Sequence, residues 1–190
     1  MSFGGDASDV LDAAVERLVE EGIVVVVAAG NAASEACSFS PARARAAITV
    51  AASAVDDTVA SFSNVGACVS IFAPGERVAG ASFLTDGGTR TLSGTSMSAP
   101  FVSGTVALLL EGLSALTPAQ AKATLLCAAT VGGVRGTPRD TTTLALYTVP
   151  DGWEKSLACG ISGGARHAAS LVACAATAAA SAAALLALGA

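Results

Sequence analysis

The feature that most constrains the fold of this chain is an uninterrupted apolar run, Ile-Val-Val-Val-Val-Ala-Ala at residues 23–29, which Gly30 and Asn31 follow. Branching at Cβ favours extended backbone. A run with no polar residue on either face predicts a strand that is buried on both sides, and such strands occur in parallel sheets covered by helices. We therefore expect an α/β layer built around this strand.

The neighbouring segments fit the same layer. Residues 8–21 place apolar side chains at helical spacing, with Asp6 or Ser8 as the N-terminal cap and Gly22 after the last turn. The remaining predicted elements, in chain order, are strands at 48–52 and 69–72, helices at 96–111 and 117–130, a loop at 131–143 and a short strand at 144–149.

The composition excludes some classes of function. The formal net charge is −5, so the chain offers no basic surface and nucleic acid is not an expected partner. Its five cysteines include no Cys-x-x-Cys pair, and it has one histidine, so we assign no metal ligands. The odd number of cysteines favours one or two disulfides plus a free thiol if the protein is exported.

The chain divides into three parts by composition. Residues 1–150 predict a domain, 151–167 a linker, and 168–190 an Ala/Leu-rich tail without any charge. The tail is long enough to span a bilayer. It admits three interpretations, which are a transmembrane helix, a GPI-type signal, and an Ala-rich helix in water. We favour membrane attachment of some form over the last.

The segment that indicates chemistry most directly is Gly-Thr-Ser-Met-Ser-Ala-Pro at residues 94–100, at the start of the predicted buried helix. Ser96 would lie in its first turn, where unpaired N–H groups and the helix dipole favour the negative charge of a tetrahedral intermediate. Pro100 removes the N–H that would pair with the Ser96 carbonyl. Alone, this pattern is more often a helix cap.

The motif resembles the serine motif of the subtilisin family. Residues 26–31 resemble the segment that supplies the family's oxyanion-hole asparagine, and residues 1–5 resemble its substrate-binding strand. The other matching segments, in the family's order, are Ser-Phe-Ser-Pro-Ala at 38–42, Ser-Phe-Ser-Asn-Val-Gly at 61–66 and Phe-Ala-Pro-Gly at 72–75. The likeness covers residues 1–148 and is closest to the proteinase K and aqualysin branch.

The resemblance implies a fold and a set of roles. The fold is the C-terminal part of a doubly wound, mostly parallel sheet with helices on both faces. The implied activity is a serine endopeptidase in which Ser96 forms an acyl-enzyme while the Asn31 amide and the Ser96 N–H bind the oxyanion. The expected partners are polypeptides in extended conformation. The residues that would bind them are Ser2, Phe3 and Gly4 on one side, and Ala28, Ala29 and Gly30 on the other.

Two further expectations come from the same resemblance. Cys37 and Cys68 occupy positions that resemble a disulfide pair, the alternative being two buried thiols. Relatives often carry an Asp immediately before the Ile-Phe-x-Pro-Gly segment, where it binds a structural calcium, and this chain has Ser70 there. We therefore expect that calcium site to be absent or weak. No cofactor is needed for the chemistry.

The Asp and His that precede the serine in this family's triad are not recognisable. No Asp is followed by Ser/Thr-Gly, and the one histidine, His167, lies beyond the serine beside the uncharged tail. We therefore expect an N-terminally truncated fragment, inactive alone, of an extracellular or cell-surface endopeptidase. The alternative is a non-catalytic remnant that acts as a binding or structural module.

Overall fold

The computed structural model describes residues 1–148, which form an α/β layer. Its elements, in chain order, are β1 (Gly5–Asp6), α1 (Asp9–Glu20), β2 (Val26–Ala28), a 3-10 turn (Ala36–Ser38), β3 (Phe39–Ser40), β4 (Ile48–Ser53), β5 (Ile71–Pro74), β6 (Val78–Ala81), β7 (Thr89–Leu92), α2 (Thr95–Gly112) and α3 (Pro118–Ala128). The linker and tail expected at 151–190, with His167, lie outside the described residues. Within 1–148, no helix is both long and apolar enough to cross a bilayer.

A three-stranded parallel sheet in the order β2-β4-β5 forms the centre. All six residues of β4 are buried. Successive side chains of a strand point to opposite faces, and both faces are covered. On one, Val15 of α1 packs against Val25 and Val27. On the other, Val102 of α2 packs with Val26. The doubly covered sheet that the apolar run predicts is therefore confirmed.

The observed strands differ most from the predicted ones at three places. Strand β5 spans Ile71–Pro74, two residues later than the expected 69–72. Strand β2 begins only at Val26, because Ile23 still takes part in capping the C-terminus of α1, where its N–H donates to the Leu18 carbonyl (3.0 Å). In the described part of the strand expected at 144–149, which ends at residue 148, there is one parallel bridge, between Ala145 and Phe72. Ala145 is also bridged to Thr130 on its other side. The described part of this segment therefore lies between β5 and Thr130 and does not form a regular strand.

The hairpin of β6 and β7 was not predicted. The two strands pair antiparallel, with Gly80 opposite Arg90, and nearly every residue in them is exposed. Their sequences, Val-Ala-Gly-Ala and Thr-Arg-Thr-Leu, lack the apolar alternation of a half-buried strand. No burial pattern could therefore indicate them.

The disulfide expected from the resemblance is present. It joins Cys37 to Cys68, with 5.3 Å between their Cα atoms. Cys37 lies in the 3-10 turn that follows β2, and Cys68 lies shortly before β5. The bond therefore links the loop that leaves the first strand of the sheet to the segment that enters the third.

Candidate active site

The residues singled out from the sequence meet at one edge of the sheet, beyond the carboxyl end of β2 and against the N-terminus of α2. Crevices at this edge are where α/β sheets place their binding sites. A cavity of about 310 Å³ lies there. All eight predicted residues line it: Ser2, Phe3, Gly4, Ala28, Ala29, Gly30, Asn31 and Ser96. None of the described lining residues has an ionisable side chain.

The amide of Asn31 is held in one orientation by Thr95. Asn31 Oδ1 accepts hydrogen bonds from Thr95 N (2.8 Å) and from Thr95 Oγ1 (2.9 Å). Thr95 is fully buried, and its Oγ1 accepts in turn from Gly30 N (3.1 Å). Because two donors face Oδ1, the other end of the amide must be Nδ2. The geometry thus leaves an N–H donor for a ligand of the cavity.

Gly94, the residue before α2, keeps the space beside this donor open. A Cβ at Gly94 would lie 3.4 Å from Asn31 Nδ2 and 3.7 Å from Ser96 N. Its φ of 154° is also a value that side chains disfavour. The Ser96 N–H belongs to the first helical turn, where N–H groups have no partner within the helix. Two donors therefore border the same small volume.

Ser96 is joined to Ser2 by a reciprocal pair of hydrogen bonds. Ser96 Oγ donates to the Ser2 carbonyl (3.1 Å), and Ser2 Oγ donates to the Ser96 carbonyl (3.1 Å). The second bond replaces the helical one that Pro100 removes. A backbone carbonyl is not a base, so this arrangement positions the Ser96 hydroxyl without activating it.

The turn before Ser96 is fixed by the end of β5. Gly94 N donates to the Gly75 carbonyl (2.8 Å). A Cβ on Gly75 would lie 2.3 Å from Ser98 Oγ and 2.5 Å from the Ala52 side chain. Only glycine allows this approach, which explains why Pro-Gly ends β5 beside the serine motif.

Asn64 organises the loop that carries Asn31, a role not predicted from the sequence. Its buried side chain accepts at Oδ1 from Ala32 N (2.9 Å) and Ser34 N (3.1 Å), and donates from Nδ2 to the Ala29 carbonyl (3.0 Å). It belongs to the segment 61–66, which resembles a motif of the family but predicted no contact of its own. An amide inside a matching motif was the available signal.

Ser2, Phe3 and Gly4 form one exposed side of the cavity. Met1 precedes them and extends the sheet at β2, since its amino group donates to the Val26 carbonyl and its carbonyl accepts from Ala28 N (3.0 Å). Strand β1 then pairs with β3. Both ends of this exposed segment are therefore anchored.

Helices on both faces of a parallel sheet, with a serine at a helix N-terminus beside an asparagine amide, are the arrangement of the subtilisin-like class. The model of the subtilase family matches residues 1–149. The chain belongs to this family, as its motifs indicated.

Two relatives show how much of such a protein the chain represents. It is 47% identical over 148 residues to an extracellular serine proteinase of Thermus sp. (strain Rt41A), covering 78% of this chain and 36% of that protein. It is 42% identical over 151 residues to alkaline serine exoprotease A of Vibrio alginolyticus, covering 80% and 28%. The chain therefore spans about a third of the length of these relatives.

The fold also matches a solved structure. A cold-adapted subtilisin-like serine proteinase superposes with a TM-score of 0.76 and 42% sequence identity, covering 80% of this chain and 54% of that one. The predicted subtilisin-like fold class is thereby confirmed.

Proposed function

We propose that this chain is the part of a serine endopeptidase that carries the nucleophile and the oxyanion-binding groups. Ser96 Oγ attacks the scissile carbonyl and forms an acyl-enzyme. The Asn31 amide and the Ser96 N–H bind the oxyanion, and a donor of this kind contributes about 3 kcal/mol in the transition state. The observation that supports this most is the orientation of the Asn31 amide by buried Thr95.

The substrate is a polypeptide in extended conformation. The exposed backbone of Ser2–Gly4 pairs with it as an added strand, and Ala28–Gly30 line the opposite wall. The small side chains of that wall suit a large apolar or aromatic side chain of the substrate. The two relatives are named as a serine proteinase and a serine exoprotease, which agrees with a polypeptide substrate.

The general base and its carboxylate partner come from outside the described residues. Residues 1–148 contain no histidine, and Ser96 Oγ donates to a carbonyl that cannot accept its proton. We therefore expect the 190-residue chain to be inactive by itself and to be completed by a segment that carries Asp and His.

We place the complete enzyme outside the cell or at its surface. The disulfide Cys37–Cys68 is typical of oxidising compartments, and the Thermus relative is named as extracellular. Attachment to a membrane through residues 168–190 is part of this proposal. Mass spectrometry of the mature protein separates the two forms of attachment, since a GPI-type signal would be missing and a transmembrane helix would be retained. A retained tail in a protein that does not partition into membranes would contradict attachment.

A non-catalytic binding module is the rival function. The hydrogen bond between Ser96 Oγ and the Ser2 carbonyl favours it, because the hydroxyl is already occupied. Such a module would bind extended peptides through Ser2–Gly4 without cleaving them.

The reading frame upstream of Met1 and a hydrolysis assay decide between the two functions. We expect Asp-Ser/Thr-Gly and His-Gly-Thr-His in frame, and we expect the extended protein to cleave peptides after apolar or aromatic residues. Ser96→Ala is the control and should abolish cleavage without weakening peptide binding. A stop codon immediately upstream, or equal cleavage by the Ser96→Ala variant, would contradict the proposal.

A further inference from the structure

A second cavity, also of about 310 Å³, lies beside the disulfide at a distinct set of residues. Ser70 lines it, at the position where the family resemblance places a calcium-binding Asp. The lining also includes Arg43, Arg45, Ala47 and Lys122. This cavity contains none of the residues assigned to peptide hydrolysis, and it shares only Ala42 with the lining of the first cavity.

The Lys122 side chain of α3 reaches two backbone carbonyl groups at the rim of this cavity. Its Nζ donates to the carbonyl of Arg45 (2.9 Å) and to that of Ala47 (2.5 Å). These residues immediately precede the central strand β4. A single positive charge thus joins α3 to the segment that enters the middle of the sheet.

The residues present do not fit a calcium ion. Calcium takes 6–8 oxygen ligands, typically including carboxylates, and the described residues lining this cavity include no Asp or Glu. Position 70 supplies only a hydroxyl, which already accepts from Thr49 N (3.2 Å). The positive charges of Arg45 and Lys122 would also repel a divalent cation, whereas Arg43 is ion-paired with Asp9 and Asp12 of α1.

We propose that the Lys122 ammonium is the cation that occupies this site. It stabilises the segment before β4 in the way that a bound calcium would. It neutralises the partial negative charge of two carbonyls that point to one place, and it holds the turn before β4 against α3. Burial lowers the pKa of Lys122 because it removes water from the ammonium. The two hydrogen bonds to carbonyl groups compensate for part of this lost hydration. This inference is independent of catalysis at Ser96.

Thermal unfolding of the full chain measures the contribution of the ammonium. Lys122→Met keeps the length of the side chain and removes its charge, and we expect it to lower Tm by about 4 °C or more. Arg17→Met is the matched control, because Arg17 lies exposed on α1 in a surface ion pair with Glu21 and should change Tm by about 1 °C or less. Equal, small shifts in the two variants would overturn the proposal.

Calcium titration tests whether the lysine excludes the metal. Ser70→Asp combined with Lys122→Ala restores a carboxylate and removes the ammonium, so this double variant should gain a calcium-dependent rise in Tm beyond any response of the unmodified chain. Ser70→Asp alone should gain none, because the new carboxylate pairs with Lys122. If Ser70→Asp alone gains the same response, the ammonium does not occupy the site and the proposal is wrong.

Amine labelling of the unmodified chain needs no variant that might misfold. With acetic anhydride, Lys122 should react at least about tenfold more slowly in the native chain than in denaturant, because native Nζ donates to two carbonyls and is half-buried. Equal rates in both states, read from the Lys122 peptide by mass spectrometry, would overturn the assignment.

Discussion

At the residue scale, the site depends on which end of the Asn31 amide faces the cavity. Thr95 occupies Oδ1 with two donors, so only Nδ2 is left to act on a ligand. A donor held in advance in this way needs no reorganisation when negative charge develops. The same two hydrogen bonds let Asn31 cap the N-terminus of α2 from another part of the chain.

Replacing Asn31 separates its two tasks. Asn31→Asp and Asn31→Ala both remove the donor, and each should lower kcat of the complete enzyme about 10²–10³-fold with little change in KM. Asn31→Asp keeps the acceptor for Thr95 and should retain more of the free energy of unfolding than Asn31→Ala. Steady-state kinetics and urea denaturation measure the two effects, and a normal kcat in either variant would contradict the role.

Replacing Gly94 tests, in a second way, the space that borders the Asn31 amide and the Ser96 N–H. In Gly94→Ala the new methyl group contacts both Asn31 Nδ2 and Ser96 N, so we expect a loss of activity of at least about 10²-fold. Gly104→Ala is the matched control within α2, since a Cβ there meets nothing within 4 Å. That change should leave kcat unaltered and stabilise the helix by up to about 1 kcal/mol. Equal kinetics in the two variants would refute this account of Gly94.

At the element scale, the loop after β2 owes its shape to one side chain from a distant segment. Asn64 bonds to the backbone of Ala29, Ala32 and Ser34. Gly30 lies so close that a Cβ on it would be 2.3 Å from Asn64 Nδ2. The loop that presents Asn31 is therefore built around the amide of Asn64.

Removing the Asn64 side chain should lower both the free energy of unfolding and kcat. Asn64→Ala leaves three backbone groups without their partner, and we expect a loss of about 2–4 kcal/mol in the free energy of unfolding. A fall in kcat should follow, because Asn31 is no longer fixed. Thr91→Ala on exposed β7 is the control and should change the free energy of unfolding by about 0.5 kcal/mol or less. If the two variants are equally stable, the loop does not depend on Asn64.

The sequence predicted the elements that have a burial pattern and missed those that do not. The run at 23–29 and the apolar segment at 96–111 must be buried, so β2 and α2 followed from composition and periodicity. Capping also carried a signal, since Ser8, one of the two expected caps, is the cap of α1. The exposed β6–β7 hairpin is held mainly by hydrogen bonds between backbone groups. Such bonds do not require a particular pattern of side chains, so the sequence did not indicate the hairpin.

The sequence indicated residues that the structure places around one cavity, but it did not indicate the contacts between them. Motif resemblance brought Ser96 and Asn31 together. It could not show that Thr95 orients Asn31 or that Ser2 bonds to Ser96, because these contacts depend on side-chain positions between distant parts of the chain. Lys122 was missed for the same reason, since its partners are backbone carbonyls.

At the scale of the whole molecule, the disulfide ties together two loops of the sheet. Cys37 and Cys68 are 31 residues apart, and closing a loop of that size stabilises a fold by about 3–4 kcal/mol in the chain-entropy description. We expect the double variant Cys37→Ala/Cys68→Ala to lose most of this in chemical denaturation. An unchanged midpoint with an unchanged m-value would show that the bond is not needed.

We propose above all that Ser96 is the nucleophile of a complete subtilase. A fluorophosphonate probe measures this most directly, because it reacts covalently only with an activated serine. In the folded protein extended upstream of Met1, we expect stoichiometric labelling of Ser96, identified by mass spectrometry, and none in the 190-residue chain or in Ser96→Ala. Absence of labelling in the folded, extended protein, or labelling of another serine, would contradict it.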